Sequence, residues 1–321
     1  MTSSTQIPFD SLIAALLDES KPLAPRYLNR LSDINPAEQA QLEATWAQIP
    51  AWRRQALLED LEDLTTSDLV LSFEAVGQTA LHDEEPVVRK LAVHMLREYE
   101  NPKLIPVYLD QVENDPDAEV RASIASALGS YVYLGELEKI PATTARKIED
   151  RLLAITQGAD VPLVRRRALE ALGYSSRQEV PALIEKAYQA GQREWLVSAL
   201  FAMGRSANET WGGKVLRMLD HDAPTVRAEA VVAAGELGLK EAAPQLIRMV
   251  DDDDDRVRTA VVWSLSQIGG ENVRKLLEDL LDQVEDEDEV EFLEEALENL
   301  SFTEDEQFLL FDIDDFEDDQ A

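Results

Sequence analysis

The sequence predicts an all-α protein built by stacking helix pairs, and three observations carry that expectation. The first is a repeat. Asp252-Asp253-Asp254-Asp255-Arg256-Val257-Arg258-Thr259-Ala260-Val261-Val262-Trp263-Ser264-Leu265 returns as D-x-x-x-V-R-A-E-A-V-V-A-A-G from Asp222 to Gly235 and as D-x-x-x-V-R-R-R-A-L-E-A-L-G from Asp160 to Gly173. It returns again as D-x-x-V-R-A-S-I-A-S-A-L-G from Asp117 to Gly129, and more loosely around Val88-Arg89. The repeated arginines, Arg89, Arg121, Arg165, Arg227 and Arg258, are separated by 32, 44, 62 and 31 residues, and 62 is twice 31. A period near 31 with one insertion and one degenerate copy is the mark of a stacked repeat. The second observation is spacing inside a copy. Val257, Ala260, Val261, Leu265 and Ile268 fall at steps of three and four, which is one face of a helix. A second apolar helix precedes each copy by about 15 residues, for example Ala243 to Val250, so each repeat is a pair that buries its apolar face only against neighbours. The third is the scarcity of alternating β-branched runs.

Each element has a local reason. Asp10 to Leu17 reads as a short amphipathic helix, broken by Pro22 and Pro25, with another beginning at Tyr27 to Leu31. Asn35-Pro36 is an N-cap followed by proline at the first helical position, and that helix runs to about Gln48. Pro50 opens the next, Ala51 to Leu64, and Ser67-Asp68 starts one ending near His82. Trp46 and Trp52 are read as packed core. Residues 1–82 together form degenerate N-terminal repeats or a cap, 83–300 the repeat array, and 301–321 an acidic-aromatic tail. Pro102 and Pro106 introduce one first helix, and Asp115-Pro116 its partner. The stretch Ser130 to Pro141, which lengthens one period to 44, is a loop or a lengthened helix end. Leading aspartates are read as N-caps, since a carboxylate accepts from the free amides of a first turn. Small residues inside the helices permit close approach of neighbours. Residues 178–218 are degenerate, with Leu196 in an arginine's place, and in the last copy Glu291 takes that place, as suits a terminal cap.

V-R-x-x-A-x-x-x-L-G after an aspartate-containing turn resembles the HEAT repeat, in particular the short HEAT-like repeat of the phycobilisome-lyase-like family. The resemblance implies a right-handed α-α superhelix and covers roughly 83–270. It further implies that Arg89, Arg121, Arg165, Arg227 and Arg258 form a structural ladder between repeats. The acidic partners would be Asp83, Asp115 or Asp117, Asp160, Asp222, and Asp252 or Asp253, with an interruption at Trp195-Leu196. It also places the second helices on the concave side. Position seven of the motif, which reads His94, Ser126, Glu170, Phe201, Val232 and Trp263 down the copies, then faces the groove. Val197 sits one turn from Phe201. These apolar residues either contact a partner or are buried by a slightly rotated helix.

Composition narrows the function classes. Thirty basic against 64 acidic residues give a net charge of −34, which repels phosphate backbones and disfavours direct nucleic-acid binding. Complementary potentials favour a protein partner with a basic surface. From Leu276 to Ala321 there are 21 acidic residues and no Lys or Arg. The absence of cysteine excludes disulfides and thiolate chemistry and suits a reducing compartment, so the cytoplasm is the expected place. No apolar run approaches a membrane span, and Met1 to Asp10 does not read as a secretory signal. His82, His94 and His221 are isolated, no nucleophile, phosphate-loop or dinucleotide motif occurs, and the Asp251 to Asp255 run reads as an exposed turn rather than a metal site. The chain is therefore expected to be a non-enzymatic scaffold, adaptor or assembly factor with no metal or cofactor. The alternative that the resemblance brings is a bilin lyase-like protein; a chaperone-like protein handling a basic client is a further reading.

The tail alternates apolar clusters with acids, as in Phe308-Leu309-Leu310-Phe311-Asp312-Ile313-Asp314-Asp315-Phe316. Such composition is either disordered or a segment that orders on contact. One expectation is that Phe308, Phe311 or Phe316 lies against Phe201, Val232 and Trp263, with Arg166, Arg167 and Arg256 pairing with the tail's acids.

Overall fold

The computed structural model describes the backbone of residues 7–67, 70–270 and 272–318, and the side chains of these residues except 66, 67 and 304–318. All regular secondary structure among the described residues is helical, as the sequence predicts. The chain forms two compact units, Met1–Ala171 and Leu172–Ala321.

The first unit contains α1 (Phe9–Leu17), α2 (Pro36–Trp46), α3 (Ala51–Ser67), α4 (Glu74–Ala80), α5 (Pro86–Leu96), α6 (Ile105–Asn114), α7 (Ala118–Glu136), α8 (Ala142–Gln157) and α9 (Pro162–Ala171). Helices α3, α5, α7 and α9 pack in series, and α4, α6 and α8 each pack on the helix that follows them. The second unit contains α10 (Val180–Gln189), α11 (Arg193–Arg205), α12 (Gly212–Met218), α13 (Pro224–Glu236), α14 (Ala243–Arg248), α15 (Asp255–Ile268), α16 (Val273–Leu281) and α17 (Glu287–Asp318). Here α11, α13, α15 and α17 form the series, and α10, α12, α14 and α16 the outer members of the pairs. Each unit is thus a HEAT-like stack of helix pairs.

The local rules are visible at the helix ends. Proline occupies the first position of α2, α5, α9 and α13, where its missing N–H costs nothing. Asn35 and Glu38 close a reciprocal capping box at α2. Left-handed residues follow the second helices at Glu100, Glu138, Ala207, Gly238 and Gly269, stopping each helix and turning the chain toward the next pair. The core is the layer between the helices. Val88, Val120, Val164, Val226 and Val257, all preceding the motif arginine, are fully buried.

Three expectations are corrected, and of the two readings of the 130–141 stretch the lengthened helix end is the one observed. The helix expected to start at Ser67-Asp68 starts at Glu74, because α3 continues to Ser67 and the buried Phe73 occupies the N-cap position of α4; residues 68 and 69 lie outside the described ones. The 130–141 insertion is resolved as length: α7 runs 19 residues and α8 runs 16, and Tyr131 anchors the extension by donating to the Asn101 carbonyl at 2.9 Å. Trp52 is 55 % exposed, since Arg53, Arg54, Leu57, Leu58 and Leu61 define the buried face of α3; Arg53 lies over its ring at 4.8 Å. Trp46 is buried. Finally, Asp83, Asp115 and Asp252 are not N-caps. Each stands in the turn before its helix, where its carboxylate accepts an amide two residues on. In the copies led by Asp117 and Asp252, the side-chain caps are Asp117 and Asp254.

Candidate partner-binding face

The frame that positions this face is a ladder of guanidinium groups. Each arginine stands at the fourth position of its helix: Arg54 on α3, Arg89 on α5, Arg121 on α7, Arg165 on α9, Arg227 on α13 and Arg258 on α15. Arg89 grips Asp115 of the next repeat with two bonds of 2.7 Å, and its third nitrogen donates to the Asp83 carbonyl at 2.7 Å. Arg121 grips Asp160 the same way at 3.0 and 2.7 Å, and Arg227 grips Asp252 at 2.9 and 2.7 Å. A planar fork suits this bidentate geometry, which a lysine would lose. The bonds from Arg121 and Arg227 hold Asp160 and Asp252 below the usual carboxylate range, and the aspartate bonds hold Arg89, Arg121 and Arg227 above the usual arginine range.

The other two arginines do something different. Arg165 donates to the Thr156 carbonyl at 3.1 Å. Arg258 donates to the Asp252 carbonyl at 2.7 Å and pairs with Asp255 of its own helix. One further rung was not expected. Arg54 lies 2.7 Å from Asp83 and donates to it at 3.1 Å, while Trp46 Nε1 donates to the same carboxylate at 2.6 Å.

The interruption at Leu196 has a second half. Arg227 pairs with a residue 25 positions on, and 25 positions after Leu196 stands His221. His221 occupies the aspartate's place in its turn, with Nδ1 accepting the Ala223 amide at 3.0 Å and its carbonyl accepting from Arg227 at 2.9 Å. Asp222, the expected partner, contributes its carbonyl to Arg227 at 3.1 Å. Both members of this rung are thus exchanged together, for a buried Leu and an imidazole. Leu196→Arg alone is expected to cost about 1–3 kcal/mol by inserting an unpaired charge where a buried side chain stood. Adding His221→Asp should restore a rung, with a coupling of about 1–3 kcal/mol in a double-mutant cycle read by urea denaturation. Additive changes would mean that the two positions do not meet.

The face lies one turn beyond these rungs, and its character differs between the units. In the N-terminal unit His94 of α5 is exposed and pairs with Glu62 of α3 at 2.5 Å, Lys90 faces Glu119 at 3.9 Å, Ser126 is half-buried, and the buried Glu170 pairs with Arg167 at 2.6 Å. In the C-terminal unit the equivalent places are apolar. Val197 and Phe201 on α11 and Val232 on α13 are half-buried, and Trp263 on α15 is 37 % exposed. Phe292 of α17, not anticipated from the sequence, stacks on Trp263 with centroids 6.4 Å apart and planes at 27°. Arg166 is half-buried on α9, in the N-terminal unit. Arg167 pairs with Glu170 and Arg256 with Asp254, so two of the cations offered to the tail have local partners. The side chains of Phe308, Phe311 and Phe316 lie outside the described residues.

A second column runs beside the apolar one. Tyr174, Arg205, Glu236 and Gln267 repeat at intervals of 31. Arg205 lies over Tyr174 and Phe201 at 5.6 and 5.1 Å and bonds Glu236 at 2.8 Å. The Glu236 carboxylate fills the space left by Gly204, where a Cβ would collide with it. Burial raises the Glu236 pKa, with Arg205 opposing the rise. A carboxyl raised in the folded state favours the fold when protonated; that contribution is complete below the unfolded pKa near 4.3 and disappears as pH rises through the folded value. Glu236→Gln is therefore expected to raise the melting temperature more at pH 8 than at pH 5. An equal effect at both pH values would show that Arg205 compensates burial fully.

Among the described residues no group of three or more His, Asp or Glu side chains is placed to hold a metal ion, and no helix is long and apolar enough to cross a membrane.

No curated protein matches the sequence. Among solved structures, the chain is similar to the CpcE–CpcF complex of phycocyanin lyase from a Nostoc species, with 17% identity over 71% of this chain and 94% of that one and a TM-score of 0.48. It is also similar to human deoxyhypusine hydroxylase, with 21% identity, 82% and 96% coverage and a TM-score of 0.36. Yeast importin-beta matches with 12% identity, 91% and 51% coverage and a TM-score of 0.41. The family model for HEAT repeats matches residues 73–146 and 214–299. With paired helices, a near-31-residue period and Arg–Asp rungs from repeat to repeat, the chain is a HEAT-repeat protein.

Proposed function

We propose that this chain is a non-enzymatic protein-interaction scaffold, an adaptor or assembly factor, whose partner offers a basic surface. The observation that carries this reading is the apolar second-helix face of the C-terminal unit, where Phe201, Val232, Trp263 and Phe292 stand in sites that face water in part. Exposed apolar stripes with aromatic members mark partner contacts. The charge excess, 64 acids against 30 bases, supplies the sign of the partner.

Affinity purification of the full-length protein from its own cells, at low and then moderate salt, tests the proposal. One stoichiometric partner surviving moderate salt is the expected result. A salt-labile smear of basic proteins would reduce the acidity to nonspecific attraction and overturn it. A visible absorption band travelling with the protein would replace it by chromophore handling.

A further inference from the structure

We infer that the second-helix face of the C-terminal unit seats a basic amphipathic helix of the partner protein, anchored on the Trp263–Phe292 pair; this deepens, and rests on, the scaffold reading. The two rings come from neighbouring helices, α15 and α17, and an offset stack at 6.4 Å leaves ring surface available to a third apolar or cationic group.

The charge around the pair is mostly acidic. Phe292 is bracketed on its own helix by Glu289 and Glu295, one turn to either side and both exposed. Farther along the face stand Glu229 and Glu236 of α13; of the cations nearby, Arg205 is engaged by Glu236 at 2.8 Å and Arg256 by Asp254 at 2.9 Å. No Lys or Arg occurs after Lys275. A ligand that covers the aromatics therefore brings its own positive charge.

Spacing selects the ligand's conformation. Packed helices lie about 8–10 Å apart, so the apolar columns on α11, α13, α15 and α17 recur at roughly that interval. A helix crossing them rises about 1.5 Å per residue and returns a side chain to the same face after seven residues, about 10.5 Å on. An extended strand covers the same distance in three residues at about 3.3 Å each, but its third residue points to the opposite face. The pattern to be met is thus apolar at i, i+3 or i+4 and i+7, with Lys or Arg around it.

The test uses the full-length protein and three labelled peptides of equal length: leucines at that helical spacing on a lysine background, the same composition scrambled, and the helical pattern on a glutamate background. Fluorescence anisotropy at 0.15 M salt should give at least tenfold tighter binding of the first than of the second, and no binding of the third. Trp263→Ala should lose about tenfold. Because truncation there could also disturb packing, Glu289→Gln with Glu295→Gln, both on exposed positions, is the second variant. It should lose about threefold and flatten the salt dependence. Equal affinity of the patterned and scrambled peptides, or indifference to both sets of substitutions, would overturn the seat. So would tighter binding of a proline-rich basic peptide, whose every third residue returns to one face at about 9 Å. If the peptide preference is missing while a native partner still survives salt, the seat is wrong and the scaffold reading stands. If the preference holds and no native partner survives, the seat stands as a surface and the scaffold reading falls.

Discussion

Asp83→Ala is expected to cost the N-terminal unit about 3–5 kcal/mol, because it strands a buried guanidinium. The Asp83 side chain is fully buried and that of Arg54 is 2 % exposed. The carboxylate serves three donors: Arg54, Trp46 Nε1 at 2.6 Å and the Glu85 amide at 2.8 Å. Its removal leaves Arg54 with the Ile49 carbonyl and the exposed Glu84, neither of which replaces a buried counter-charge. For a unit of this size each kcal/mol moves the midpoint by about 2–4 °C, so a fall of roughly 6–20 °C is expected in thermal melts followed by circular dichroism. Arg54→Ala should cost a comparable amount. The double variant should cost far less than the sum, since the second substitution removes the charge that the first left unpaired. A loss below about 1 kcal/mol for Asp83→Ala would place this rung with surface ion pairs, which contribute little.

How much of this was legible in the sequence follows from what a periodic pattern can and cannot encode. The period placed Arg89, Arg121, Arg165, Arg227 and Arg258 because each sits at the same turn of a helix. The partners were less legible, since each rung joins an arginine to a turn 25 to 39 residues on, and a turn admits one-residue shifts. Asp222 fitted the motif, yet the neighbouring His221 occupies the aspartate's place. Arg54 was hidden because Arg53 stands where the other copies have valine, and that residue is spent on the carbonyls of Ala15, Asp18 and Lys21 at the end of α1. Trp52 was misread because its hydrophobicity suggested core, while its position on the helix wheel pointed outward. Phe292 was missed for a simpler reason. It lies 29 residues after Trp263, off the 31-residue register, in a copy whose arginine signal is gone.

Gly173→Val is expected to destabilise the C-terminal unit by about 3 kcal/mol or more, at the upper end of overpacking costs. A Cβ at Gly173 would lie 2.9 Å from the Ala202 Cα and 3.1 Å from the Ala202 carbonyl oxygen. Those are backbone atoms of α11, so no rotamer change relieves the clash; the helix itself must move. Gly235 would likewise set its Cβ 2.9 Å from the Ser264 Cβ, which is fixed to the α15 backbone, and 2.8 Å from the Ser264 hydroxyl, which is held by the Val231 carbonyl at 2.9 Å. Gly212, by contrast, would meet nothing nearer than a Leu239 methyl at 3.2 Å, the far end of a side chain that can turn aside. Gly212→Ala should therefore cost less than Gly173→Ala, and the order is the informative quantity. Denaturant midpoints at unchanged slope would establish it. The consequence reaches the face, because α11 carries Val197 and Phe201 and cannot yield to a side chain at 173 without moving them. Gly173→Ala should thus weaken the basic amphipathic peptide while leaving Trp263 and the acids around Phe292 untouched. Unchanged peptide affinity in a Gly173→Ala protein that has lost stability would show that α11 contributes nothing to the seat, and that α13, α15 and α17 form it alone.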